Sequence, residues 1–215
     1  MRIGFPKKTP APIDQSCVLY YKMDEASGNI KDWSGGGNTG IVAGSPVYSQ
    51  SGIFTNSIDL NDGGYVSSTS TSITADGTII LWVYPDTMAS GERIMQKGTG
   101  ARPSISFDGT LNFQFLAYNG TAFSTATSTF PASAGTWYHL ACTWKEDDVV
   151  AIYINGKFED DDPITGTIQA QENPFVFGRR GTINDSFFDG KMEEIRIYNR
   201  VLSASEIKEH YMRGR

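Results

Sequence analysis

Between Trp137 and Phe158 the chain reads WYHLACTWKEDDVVAIYINGKF. Trp137, His139, Ala141 and Thr143 alternate with Tyr138, Leu140, Cys142 and Trp144, so bulky groups fall on both parities of one extended segment. A strand with large side chains on both faces must be covered on both, which predicts an inner strand of a layered β protein. Lys145–Asp148 is a fully charged turn, expected in water, and Val149–Ile154 is β-branched and aromatic enough for a second strand. Asn155-Gly156 then predicts a hairpin, because a type I′ turn needs φ > 0 at both central positions and Asn and Gly tolerate that best.

The rest of the chain has to supply the covering layers. A length of 215 residues suits one all-β domain with a core that needs no disulfide staples. The net charge of −6, from 18 basic and 24 acidic residues, argues against nucleic acid or an anionic membrane as the main partner. Cys17 and Cys142 both lie in apolar strand contexts and are expected as buried thiols; a bridge would imply an oxidising compartment. MRIGFPKKTPAPIDQS lacks the apolar core of a secretory signal, and no transmembrane segment is visible. Cytosolic location, excision from a larger protein, or delivery to an extracellular, particle or cell surface by another route, as in a virion, all remain open.

Residues 1–16 form a Pro-containing arm or linker, which could hold the domain, residues 17–215, in a larger assembly. Strands are expected at Cys17–Met23, Ile53–Leu60, Tyr65–Ser67 and Thr78–Tyr84, the last an inner strand ended by Pro85, with Glu92–Gln96 nearer an edge. Asp108-Gly109 and Asn119-Gly120 link strands at Ser104–Phe107, Thr110–Tyr118 and Thr121–Ser128, and later strands fall at Phe175–Gly178 and Glu193–Tyr198. Close-spaced hairpins of this kind predict a sandwich or barrel and not alternating β and α units. The one clear helix runs from Ala204 to about Met212, with Ser203 and Glu206 as a capping box and Leu202 and Ile207 as a hydrophobic staple.

In chain order the motifs are YKMDE and SG at Tyr21–Glu25 and Ser27-Gly28, DWSG with NTG at Asp32–Gly35 and Asn38–Gly40, and ILWV with KG at Ile80–Val83 and Lys97-Gly98. They continue with WYHLA at Trp137–Ala141, YINGK at Tyr153–Lys157, FDG at Phe188–Gly190, EEIRIY at Glu193–Tyr198 and LSASEI at Leu202–Ile207. Over about residues 17–212 this resembles the laminin-G-like branch of the concanavalin A-like lectin/glucanase superfamily. The resemblance implies an all-β jelly-roll sandwich of two antiparallel sheets with one short C-terminal helix, and often a structural calcium ion. Members bind sugars, bind proteins or decorate larger molecules.

Calcium takes six to eight oxygens. The resemblance brings the loop Asp32–Gly40 near the strand that opens at Glu193, where the family usually has Asp followed by Glu. Asp32, Asn38 and Glu193 are the candidate ligands, with Asp24 in reserve. Simple alternation puts Glu193 on the face of Ile195 and Ile197, apparently the core face, where a carboxylate needs a partner. The competing reading is that Asp32 and Asn38 cap loop backbone and that Glu193 meets an arginine. The acidic run Glu159–Asp162 is expected to be solvated, with a calcium role less favoured.

Catalysis is disfavoured. Glucanases on this fold use two carboxylates alternating on one strand face, and no such spacing occurs, since Glu193 and Glu194 are adjacent. Lyases on this fold pair His with Tyr, usually with Gln two residues before the His, where this chain has Trp137. His139 is expected to make a buried hydrogen bond, and His210 to sit near a helix C-terminus where a cation suits the dipole. For glycan binding the candidates are Tyr84, Tyr118, Asn119 and Arg179, an aromatic or donor set near hairpin tips and strand ends, with Phe123 close to Tyr118; core roles for such aromatics are the competing reading. Two functions follow: a non-catalytic, calcium-stabilised glycan-binding module, or a structural or adhesion protein, such as a virion decoration, that makes protein contacts.

Overall fold

The computed structural model describes residues 8–61, 63–69, 74–98, 103–169, 174–181 and 185–215. Asp62 of the expected turn Asn61–Gly64 and the first seven residues of the arm lie outside them. In chain order the elements are β1 Cys17–Tyr21, β2 Gly40–Ala43, β3 Val47–Ser51, β4 Asn56–Asp59, β5 Tyr65–Ser68, β6 Gly77–Pro85, β7 Arg93–Lys97, β8 Ser104–Phe107, β9 Asn112–Tyr118, β10 Phe123–Pro131, β11 Tyr138–Trp144, β12 Val149–Ile154, β13 Lys157–Pro163, β14 Phe175–Phe177, β15 Gly190–Tyr198 and α1 Ala204–Arg213.

They form two antiparallel sheets, the jelly-roll sandwich the sequence implies. One has eight strands in the order β13-β12-β11-β6-β15-β4-β3, with β1 also pairing β15. The other has seven, in the order β10-β9-β8-β7-β14-β5-β2. β7 therefore lies between β8 and β14, not near an edge as its short length suggested. The inner faces meet in one apolar core, where Leu81, Val83, Leu140, Trp144 and Ile195 face Ile105, Phe113, Phe115, Phe175 and Phe177. Rings set its depth: Phe113 meets Tyr138 edge-on at 5.0 Å, and Phe115 lies 6.4 Å from Trp144. Gly77 is required beside that indole, because a Cβ there would fall 2.1 Å from Trp144 Cζ2.

The outer face of the eight-stranded sheet is covered too, so β11 is the doubly covered inner strand expected. Helix α1 starts at Ser203, whose hydroxyl accepts the Glu206 N–H in the expected capping box, and it buries Ile207 against Tyr20, Ile80, Ala141, Tyr198 and Leu202. Tyr211 of α1 stacks on Trp82 of β6 at 5.9 Å. From Lys8 onward the arm lies on this layer, with Lys8 Nζ donating to Gly214 O at 2.8 Å. Cys17 sits in this outer cluster and Cys142 in the inner core, both as free buried thiols on opposite faces of the sheet.

β2 and β3 were not anticipated, and β13 is the return strand of the expected Asn155-Gly156 hairpin. β13 contains the acidic run Glu159–Asp162, and the expectation that it is merely solvated is corrected by its contacts. Asp162 accepts the Thr125 N–H at 2.7 Å, Asp160 the Thr127 N–H at 2.9 Å, and Glu159 the N–H and hydroxyl of Thr129. Three of the four carboxylates of this run, on the edge of one sheet, thus cap N–H groups on the edge of the other. Two free edges that would otherwise invite pairing are closed against each other.

Candidate functional site

The outward face of the seven-stranded sheet carries two cross-strand rows. Ser67, Val176, Gln96, Ser104, Leu116 and Thr125 are register partners along one, and Arg93, Ser106, Gln114 and Thr127 along the next. Alternation explains the composition: on β8 and β9, Ile105, Phe107, Phe113 and Phe115 turn inward, leaving small or polar residues outward. Gln96, Ser104 and Ser106 are buried, yet Gln96 Oε1, Ser104 Oγ and Ser106 Oγ have no protein hydrogen-bond partner, nor do Asn112 Oδ1 and Arg93 Nε. Each buried polar atom left so costs roughly 1–3 kcal/mol unless water or a ligand satisfies it.

Beyond the Leu116–Thr125 row, Tyr118 and Phe123 face each other across the β9–β10 hairpin with ring centroids 4.7 Å apart. Phe123 is 54% exposed. Asn119 does not share in this surface: its Oδ1 accepts the N–H groups of Thr121 and Ala122, and its Nδ2 donates to Thr165 O, so the amide shapes the turn. Arg179, just past β14, lies with its guanidinium 3.6 Å over the Tyr65 ring of β5, at the Arg93–Ser106 end of the same face. Tyr84 belongs elsewhere. It pairs with Lys191 on the eight-stranded sheet, 5.5 Å from the Trp137 ring and under the Lys191 ammonium. The four predicted ligand residues are therefore split among two ends of one sheet, a turn and the other sheet.

The three predicted metal ligands are not assembled either. Asp32 Oδ1 accepts the Tyr20 N–H, the Ser34 N–H and the Ser34 hydroxyl, and Oδ2 accepts the Asn38 N–H, so Asp32 and Asn38 meet as a loop cap. Glu193 is engaged apart from them by the N–H groups of Ile53 at 2.5 Å, Phe54 at 2.9 Å and Thr55 at 3.2 Å. Oxygens that face N–H donors do not fit a calcium shell, which needs their lone pairs. Among the described residues no three His, Cys, Asp or Glu side chains gather as a metal site would require.

The placing of Glu193 corrects the simple alternation. β15 carries a bulge between Glu193 and Arg196, with Glu194 at φ +55°, so Met192 and Ile195 both reach the core while Glu193 and Glu194 share the outward side. The arginine contact expected of Glu193 goes to Glu194, which accepts from Arg196 Nη2 at 3.0 Å and from the Tyr20 hydroxyl. Burial pushes both carboxyls above their ordinary range; the three N–H donors at Glu193, and Arg196 and Tyr20 at Glu194, pull back.

Under α1 and the arm, His139 is fully buried beside Trp82 at 5.2 Å, and neither ring nitrogen has a protein partner, so the hydrogen bond expected of it is not made by the ring. Burial lowers its pKa to about 3. His210 contacts the Tyr198 hydroxyl at 3.2 Å, and burial, with Arg196 nearby, lowers its pKa to about 4. It is neutral near pH 7 and not the helix-end cation the sequence suggested.

A laminin-G-type family model, described as the concanavalin A-like lectin/glucanases superfamily, matches residues 60–208. The chain belongs to this superfamily. Among solved structures it is similar to domain 4 of AbnA, a GH43 extracellular arabinanase from Geobacillus stearothermophilus, in complex with arabinotriose. That likeness has 19% identity and a TM-score of 0.76, over 91% of this chain and 98% of that one. It is also similar to the binding domain of botulinum neurotoxin DC, seen in complex with SialylT (16% identity, TM-score 0.75, 93% and 52% covered) and with rat synaptotagmin II (17%, 0.76, 95% and 53%). The chain thus spans about half of those toxin chains, and at these identities the likeness shows the fold. No curated protein matches the sequence.

The polar residues of this face that sequence reasoning missed are Gln114, Thr125 and Thr127. Their signal was present as polar residues alternating with inward Phe and Ala on β9 and β10, but only the register shows that they share a face. Among the described residues no helix is long and apolar enough to cross a membrane.

Proposed function

We propose that the chain is a non-catalytic recognition module that binds a glycan on the outward face of its seven-stranded sheet. The observation that carries this is the partly exposed Tyr118–Phe123 ring pair on that face, followed along the same strands by the half-buried polar side chains of Thr125, Gln114 and Thr127. Sugar hydroxyls both donate and accept, so they suit the Gln114 amide and the Thr125 and Thr127 hydroxyls, and the apolar face of a pyranose or furanose suits the exposed Phe123 ring. The non-catalytic part rests on Glu193 and Glu194, which are held by three N–H groups and by Arg196 with Tyr20, not aimed at a shared space. Display at an extracellular, cell or particle surface, as part of a larger molecule, belongs to the same reading. An array of neutral and acidic oligosaccharides, arabinotriose among them, tests it. At least one ligand should bind, and Phe123→Ala with Tyr118→Ala should weaken that binding about tenfold. An empty array sinks the reading.

The second reading, a structural or adhesion module making protein contacts, is favoured by one feature. On the side away from the acidic seam, edge strands β2 and β3 expose Ile41 at 43% and Val47 at 44%. Apolar side chains on free strand edges are how sheets pair with other chains. Sedimentation across a concentration series would show association that Ile41→Lys with Val47→Lys abolishes; a monomer throughout removes self-pairing as its basis.

A further inference from the structure

A second concave surface lies on the opposite side of the acidic seam from the proposed glycan face. The Asn155-Gly156 turn between β12 and β13 packs directly on α1: a Cβ at Gly156 would come within 3.0 Å of Tyr211 Cβ. That contact leaves a groove of about 290 Å³ bordered by Phe130, Asn155, Lys157, Glu159, Tyr211 and Arg215. The volume is at the lower edge of the roughly 300–1,000 Å³ typical of small-molecule sites, and the mixture of ring walls with a few polar groups is also typical.

Its border carries two cations: among the described residues no side-chain carboxylate lies within salt-bridge distance of Lys157 or Arg215, as is also true of Lys22, Lys31 and Lys208 elsewhere on the surface. Glu159, on the groove border, directs Oε2 to the Thr129 hydroxyl and N–H, and its other oxygen remains an acceptor. Asn155 uses Oδ1 for the His139 N–H and keeps its amide donors. Two cations, an amide donor, one carboxylate acceptor and two aromatic walls thus share one groove.

We infer that this groove binds a sugar unit bearing a carboxylate. Lys157 and Arg215 meet the carboxylate, Glu159 and Asn155 meet ring hydroxyls, and Phe130 and Tyr211 meet the apolar ring face. Uronic and sialic acids share this chemistry. The site is separate from the outward face of the seven-stranded sheet, so either can fail without the other.

The test is calorimetric titration of the full chain with trigalacturonate, with sialyllactose, with the fully methyl-esterified trigalacturonate and with acetate. One or both acidic sugars should bind; which one does identifies the source of the carboxylate. Lys157→Ala with Arg215→Ala should weaken that binding at least about tenfold, while Lys31→Ala, an exposed lysine away from the groove, leaves it unchanged. Both cations are exposed, and an unaltered melting temperature confirms that the variant folds. The inference is overturned if neither acidic sugar binds, if the neutral ester binds as tightly, if acetate binds as tightly, or if the double variant binds like the parent.

Discussion

Replacing His139 with Leu should flatten the acid limb of the stability curve. The imidazole is sealed between Trp82, α1 and the arm, with no acceptor or donor for either nitrogen, and burial holds its pKa near 3 against an ordinary 6.5. A histidine with a depressed folded pKa takes up its proton first in the unfolded chain. Stability is therefore fully present above about pH 6.5 and declines as pH falls toward 3. Well inside that window each pH unit costs about 1.4 kcal/mol, and between pH 6.5 and 4.5 the His139 contribution lost is about 2.3 kcal/mol. His210, lowered to about 4, adds a similar slope in both proteins and cancels in the comparison. At pH 7 the two should differ by about 1 kcal/mol or less, since two unpartnered polar atoms are removed along with two ring contacts, to Trp82 and Tyr211. Urea unfolding at pH 7.0, 5.5 and 4.5 measures this. Parallel pH dependence in parent and variant would refute the buried, neutral imidazole.

Three further outcomes follow from the geometry. Asp160→Ala or Asp162→Ala, each removing the acceptor of an edge N–H on β10, should cost about 1–2 kcal/mol in urea unfolding after allowance for partial exposure, while the Asn variants keep an acceptor and cost about half; unchanged Ala variants would refute the seam. Glu193→Ala strands the N–H groups of Ile53, Phe54 and Thr55 and should cost about 3 kcal/mol or more, with Glu193→Gln recovering part of it; a loss below about 1 kcal/mol would show that the turn at Phe54 does not depend on this carboxylate. A calcium chelator should leave the melting temperature unchanged, because Asp32 and Glu193 already face N–H donors; a chelator-induced drop reversed by calcium would overturn the loop-cap assignment.

What was legible in the sequence was whatever depends on period and on turn chemistry. The alternation in Trp137–Trp144, the Asn155-Gly156 hairpin and the Ser203–Glu206 capping box all appear where local rules put them. Glu193 was misplaced because a single bulged residue reverses the face of everything before it, and Glu194 gives no sign of φ > 0 in its side chain. The acidic strand β13 was hidden for a different reason. Adjacent carboxylates look self-repelling until three of the four find N–H donors on the other sheet, and that is a tertiary fact. Asn119 was read as a ligand residue from its exposure at a tip, whereas its amide is consumed in making that tip.

The central claim is tested most directly by amide-resolved NMR of the isotope-labelled chain titrated with whichever oligosaccharide the array selects. Saturable shift changes concentrated on Gln96, Ser104, Ser106, Gln114, Thr125 and the Tyr118–Phe123 hairpin are the expected result. Changes confined to the eight-stranded sheet, or none at millimolar ligand, would contradict it.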